Sequence, residues 1–292
     1  MSLTTLGEAV VAGLANGAFY AFLALGFVAI FSLTRALNLA HGELVLLGGY
    51  VGYAAGRAWG LPTALLVPLS AAALVPVGLV WRVLIARVRE PVELNSMVLT
   101  FGLSLLLQNA MLGAWAADYR LIATGPGAVV PGLSTARAAG ALVALVTILG
   151  LEIVLTRTRW GTVLRATSRD AEAAALLGVN VDRVGLATFA VAAAIAGAGG
   201  VLFATVHYLH PGGGVELTLL AITLAIVGQL PAAAGRRRQP LLGLLAAGLA
   251  VGLVEALTLA AAGPRWRELV VALSLLAVLF AAPGPAERGA AR

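Results

Sequence analysis

What most constrains this chain is the recurrence of long apolar runs, near residues 9–31, 37–55, 61–86, 96–117, 137–156, 184–206, 216–231, 241–262 and 268–282. A bilayer core about 30 Å thick needs roughly 20 mostly apolar residues for one helical crossing. The runs occupy so much of the chain that no soluble domain of ordinary size fits between them. Apolar residues make up 61% and charged residues 11%, against roughly 45–50% and about 25% in soluble domains. That surplus of apolar surface must face lipid. The expected fold is an all-α integral membrane protein, a polytopic bundle of eight or nine transmembrane helices forming one domain over residues 1–292. The seventh and ninth runs are short enough to be re-entrant or differently tilted. The apolar start lacks a basic flank and a small-residue cleavage site, so it reads as a retained helix.

All 19 basic residues are arginine, and the net charge is +6. A basic balance can mark nucleic-acid binding, but these arginines sit in short loops between apolar runs, where they orient the chain. If the loop at 157–183 is cytoplasmic, alternation places 14 of the 19 on that side: Arg35, Arg82, Arg87, Arg89, Arg157, Arg159, Arg165, Arg169, Arg183, Arg236, Arg237, Arg238, Arg288 and Arg292. Arg57, Arg120, Arg137, Arg265 and Arg267 face outward with the N-terminus. Cysteine is absent, which excludes disulfides and thiolate metal sites.

Many of the 35 glycines lie inside the apolar runs, including Gly48, Gly49, Gly52, Gly56, Gly197, Gly199 and Gly200. Small residues let helix backbones approach closely in lipid, so tight packing is expected there. Pro62, Pro68 and Pro76 predict a kinked third helix.

Polar groups at membrane depth are costly and therefore mark partners, cavities or function. The richest cluster is Asn38-Leu39-Ala40-His41-Gly42-Glu43, which opens the second run. Asn38 reads as a helix N-cap and Glu43 as an acid in the first turns, complementing the dipole; together they suggest a hinge at the cytoplasmic mouth. In the fourth run Thr100, Ser104 and Gln108 are four residues apart and share a helix face, with Asn109 beside them. Such a face suits either interhelical hydrogen bonds or a solute pathway, and so does the pair Asn16 and Tyr20. Within 157–183, Asp170-Ala-Glu-Ala-Ala-Ala-Leu-Leu-Gly178 predicts a short helix. Asp170 caps it, Glu172 complements its dipole, and Gly178 takes the left-handed C′ position. Leu176 and Leu177 then form an apolar knob, resting on the bundle or docking into a cytoplasmic partner.

The Asn-x-Ala-His-Gly-Glu run, Asn16-Gly-Ala-Phe-Tyr-Ala, the segment Thr100 to Asn109 and the loop Arg165 to Arg183 resemble the branched-chain amino acid ABC permeases, especially their H-type subunit. The resemblance covers most of the chain. It implies an ABC importer permease fold and a pathway drawing on Asn16, Tyr20, Asn38, His41, Glu43, Thr100, Ser104, Gln108 and Asn109. Glu172, Ala173, Ala174 and Gly178 match the Glu-Ala-Ala-x-x-x-Gly pattern of importer coupling loops, so Asp170, Leu176 and Leu177 would join them in contacting an ATPase. The implied partners are a second, similar permease, two cytoplasmic ATPases and an extracytoplasmic solute-binding protein, in a bacterial cytoplasmic membrane. ATP and magnesium would belong to the ATPases, with no cofactor in this chain. The family's glycine-rich turn after the seventh span is reduced here to Gly228, Pro231 and Gly235.

Lysine is absent, so the chain has no P-loop and no ATPase site of its own. A gradient-driven secondary transporter is the rival class; proton coupling favours a carboxylate near mid-membrane, and only Glu255 lies well inside a run, where a structural hydrogen bond is the favoured reading. An intramembrane enzyme is weaker, because Ser104 lacks a Gly-x-Ser-x-Gly setting and His41, His207 and His210 lie near span ends. His207 and His210 alone do not make a metal site. Urea or short amides remain alternative solutes to branched-chain amino acids.

Overall fold

The computed structural model describes residues 3–124, 127–130, 133–233, 240–266 and 273. The apolar runs become helices: α1 (Leu3–Thr34), α2 (His41–Trp59), α3 (Thr63–Ile85), α4 (Val92–Trp115), α5 (Thr135–Arg157), α8 (Val181–Ala204), α9 (Gly214–Ala233) and α10 (Pro240–Ala262). Between α5 and α8 come the short helices α6 (Arg159–Arg169) and α7 (Ala171–Leu176). A small hairpin, β1 (Ala128–Val130) and β2 (Leu133–Ser134), precedes α5.

Seven helices among the described residues are long and apolar enough to cross a membrane. α2 is the exception: it has 19 residues, but Glu43, His41 and Arg57 dilute its apolar content. Of the expected ninth span at 268–282, all but Leu273 lies outside the described residues. The seventh, expected to be short, is a helix of 20 residues preceded by a 3-10 turn at Pro211–Gly213.

Burial separates a centre from a rim. The spans of α1 and α8 are 72% and 61% buried, whereas those of α3, α4 and α5 are each 22% buried. On α5 the exposed Leu142, Val146, Leu149 and Ile153 follow helical spacing and make one lipid-facing stripe. The centre is dense because glycines meet across it. α2 and α8 cross where a Cβ on Gly48 would fall 2.5 Å from Gly197 Cα. α1 and α10 cross through Gly13 and Gly17 against Gly248 and Gly252, a pair of small-xxx-small motifs. In α3, Pro68 and Pro76 lie within the helix, while Pro62 is its N-cap.

Contacts sort the arginines by end. Arg82 pairs with Asp182 at 3.0 Å, Trp81 Nε1 donates to Asn38 Oδ1 at 3.3 Å, and Leu37 N donates to Ser96 Oγ at 3.0 Å. These gather the end of α3, the start of α4 and the start of α8 at one end of the bundle, from which residues 35–40 enter it. At the opposite end Arg120 exchanges backbone hydrogen bonds with Leu209, pairs with Asp118 and lies 5.7 Å from the Tyr53 ring centroid.

Candidate functional site

The second helix does not begin where local pattern places it. Residues 35–40 are non-helical, α2 starts at His41, and its N-cap is Ala40. Asn38 is therefore not the cap. Its Oδ1 instead accepts from Ala40 N at 3.2 Å and from the Trp81 indole, a turn within the segment plus a tie to α3. His41 Nε2 sits 2.8 Å from Leu23 O. Leu23 lies 11 residues before the end of α1, or about 16 Å at 1.5 Å per residue. The 35–40 segment thus folds back into the bundle, and α2 begins inside it rather than at a mouth.

Non-helical backbone at this depth must find its hydrogen bonds in protein. Ser96 and Thr100 of α4 accept from Leu37 N and Leu39 N, each at 3.0 Å. Thr100 Oγ1 also lies 2.9 Å from Leu37 O. From α9, Thr218 Oγ1 accepts from Gly42 N at 2.8 Å. Ser96, Thr218 and Trp81 were not singled out in the sequence; the available signal was a hydroxyl or indole within an apolar run, with nothing local to name its partner.

Glu43, 1% exposed, lies in the first turn of α2 and against the first residue of α9. A Cβ on Gly214 would fall 2.5 Å from Glu43 Cδ, so glycine is required for this approach. The Ser104 hydroxyl and the residue's own amide reach the carboxylate. Two buried polar atoms of this junction have no partner, Glu43 Oε2 and Asn38 Nδ2.

The stripe Thr100, Ser104, Gln108 does share one face, and it divides by depth. Thr100 and Ser104 are buried and serve the break. Gln108, with Asn109, Leu112, Ala117, Tyr119, His210, Pro211 and Gly212, lines a cavity of about 340 Å³ at the other end of α4. Asn109 Nδ2 is bonded to Leu105 O at 2.7 Å. Tyr119 meets His210 and Tyr208 with ring centroids 5.5 and 6.2 Å apart. We expect Gln108→Leu to reduce uptake sharply with insertion intact if this wall carries solute. A loss of about 1 kcal/mol of stability with normal uptake per folded complex would instead make Gln108 a packing residue; uptake and melting temperature on one reconstituted preparation separate the two.

Asn16 and Tyr20 lie apart from this junction. Asn16 lines a small crevice with Arg137 and His207, and the Tyr20 hydroxyl donates to Glu255 at 3.2 Å. Glu255 is thus a hydrogen-bond partner within the α1–α10 crossing. Glu152, expected near a span end, is buried and accepts from Leu241 N at 3.1 Å, stabilising the start of α10. The His207 ring stacks on Phe203 with centroids 4.6 Å apart. Among the described residues no three potential ligands cluster as a metal site.

Outside the bundle core, Thr158 and Asp170 cap α6 and α7, accepting from Gly161 N and Ala173 N. α6 was not expected; residues 159–169 had read as loop. Arg165 folds back to bond Leu155 O, tying α6 to the end of α5. α7 ends as its sequence predicts, with Gly178 at φ +87°. Leu176 and Leu177 are 88% and 85% exposed, so they do not rest on the bundle. Glu172 and Ala173 are also exposed, whereas Ala174 is buried.

Residues 9–279 match the family described as branched-chain amino acid transport system, permease component. The chain belongs to that family. Among its relatives in this permease family, the high-affinity branched-chain amino acid transport system permease protein LivH of Escherichia coli K12 is 29% identical over 93% of this chain and 92% of its own. BraD of Pseudomonas aeruginosa, a permease of the same description, is 28% identical over 95% and 94%. The fructose import permease protein FrcC of Rhizobium meliloti is 30% identical over 47% of this chain and 38% of its own. No solved structure matches. The chain is therefore a multi-pass membrane permease. Of the permease turn that departs from the family pattern, Gly228 packs on α10, where a Cβ would fall 2.9 Å from Leu244 Cα, and Pro231 lies within α9; Gly235 and Arg236 to Arg238 lie outside the described residues.

Proposed function

We propose that this chain is the membrane-spanning subunit of an ATP-driven importer of branched-chain amino acids in a bacterial cytoplasmic membrane. Residues 1–292 act as one transmembrane unit, paired with a second, similar permease. Two cytoplasmic ATPases carry the ATP and magnesium, and an extracytoplasmic binding protein delivers the solute. Of the pathway candidates, Gln108 and Asn109 face the cavity, while Asn38, His41, Glu43, Thr100 and Ser104 form the broken junction beyond it.

The observation that carries this reading is the α7 knob. Asp170 and Gly178 fix both ends of a helix of only 6 residues, and its tip presents two leucines to solvent. Nothing in the bundle gains from that exposure, and an apolar tip on a rigid capped turn suits a groove on a partner. We expect Leu177→Asp to abolish or strongly weaken co-purification with the ATPases, because it places a charge in an apolar groove. The variant should remain monodisperse, since Leu177 makes no buried contact in the chain itself. Full ATPase co-purification by the folded variant would overturn the coupling role.

A further inference from the structure

We propose that Arg157, Arg159 and Trp160 form a seat for the phosphate-bearing headgroup of an anionic phospholipid, at the corner where α5 turns into α6. Such a seat stands whatever solute the permease carries.

The corner lies at the edge of the lipid-facing surface. Leu142, Val146, Leu149 and Ile153 carry the exposed stripe along α5, and the next position at that spacing is Arg157, exposed in the last turn. The stripe therefore ends on a guanidinium, as a helix does where hydrocarbon gives way to headgroups. The start of α6 is fixed to that end of α5. A Cβ on Gly161 would overlap the Leu155 backbone, and Arg165 bonds Leu155 O. Trp160, Leu164 and Thr167 share one face of α6. The bundle covers this face at Thr167 but leaves Trp160 63% exposed. An indole left open beside the end of a lipid-facing stripe fits the membrane interface, where tryptophan is enriched.

Nothing in the described chain neutralises the charge at this corner. Among the described residues the ion pairs are Arg82 with Asp182 and Arg120 with Asp118, so Arg157 and Arg159 have no acid partner. Helix electrostatics accounts for only one of them. Arg157 complements the negative end of α5, but Arg159 opens α6 at the positive end of its dipole, and that first turn holds no acid. A cation there is disfavoured unless an anion stands opposite. A phosphate group accepts charge-assisted hydrogen bonds from both guanidinium groups, and a phospholipid brings with it the acyl chains that cover the indole and the α5 stripe. An acidic protein surface supplies only the charge.

Native mass spectrometry of the full-length chain in its purified complex, titrated in neutral detergent with phosphatidylglycerol or phosphatidylcholine, tests the seat. The wild type should retain phosphatidylglycerol in preference. Arg157→Gln with Arg159→Gln should lower the apparent affinity for it roughly thirtyfold, about fivefold per arginine. Arg169→Gln is the control: it is exposed, has no acid partner among the described residues and lies at the far end of an 11-residue helix, about 15 Å from Arg159, so its removal should leave the affinity unchanged. An equal loss in Arg169→Gln would mean diffuse charge without a seat and overturns the assignment, as does unchanged affinity in the double variant or equal retention of the two lipids by the wild type. Loss of ATPase subunits from the double variant with lipid retention intact assigns the corner to a protein partner and overturns it too. A second measurement needs no arginine variant. In proteoliposomes, phosphatidylglycerol brominated on its acyl chains should quench a smaller fluorescence amplitude in Trp160→Phe than in the wild type; an amplitude unchanged by the substitution places the indole away from lipid and sinks the seat.

Discussion

Gly200→Ala is expected to abolish the folded protein, although alanine is the best helix former and the change adds one methyl group. A Cβ on Gly200 would overlap Val45 O and the Gly49 amide of α2. Both obstacles are backbone, so no side-chain rotamer relieves them, and α2 cannot retreat because α3 and α9 hold its other sides. Ordinary overpacking costs about 1–3 kcal/mol where side chains can shift; here the helices themselves must separate, and the cost exceeds that range. Gly102→Ala is the control. Nothing lies within 4 Å of a Cβ there, so it should be neutral or stabilising by up to about 1 kcal/mol. Fluorescence-detected size-exclusion profiles of the two variants decide the matter. A normal monodisperse peak for Gly200→Ala would mean that α2 and α8 are not packed at backbone contact.

The sequence marks the glycines of that crossing as points of close packing, without pairing α2 to α8. Apolar runs became helices because one-dimensional composition dictates them in lipid. The pair Gly13/Gly17 and Gly248/Gly252 escaped notice because the two halves lie more than 200 residues apart. The α7 caps were legible because Asp170 and Gly178 act on their own turn. Asn38 misled for a related reason: an Asn just ahead of a helix is ordinarily its cap, but its acceptor is taken here by Ala40 and by Trp81, 43 residues away. Glu152 failed likewise, since its partner at α10 is 89 residues distant. Local rules therefore placed the elements and the capped helix α7, while the junction around Glu43 depends on pairings that only the tertiary fold supplies.

The combined variant Ser96→Ala, Thr100→Val is expected to lower the melting temperature more than any other change at the polar stripe. These two hydroxyls accept from Leu37 N and Leu39 N, amides of a non-helical segment lodged in the bundle, where no water stands ready to replace them. Each buried amide left unsatisfied costs about 1–3 kcal/mol, and removing both leaves the turn into α2 without its anchor on α4. Thr100→Ser alone preserves the acceptor and should stay close to wild type, which separates the hydrogen bond from packing of the methyl group. Thermal unfolding of the purified variants in detergent measures the effect. If the double variant melts with the wild type, the segment 35–40 does not draw its hydrogen bonds from α4. If it melts early and Thr100→Ser does not, then Thr100, at the inner end of a stripe whose sequence suits either interhelical hydrogen bonds or a solute pathway, takes the first role and holds the turn into α2 in place.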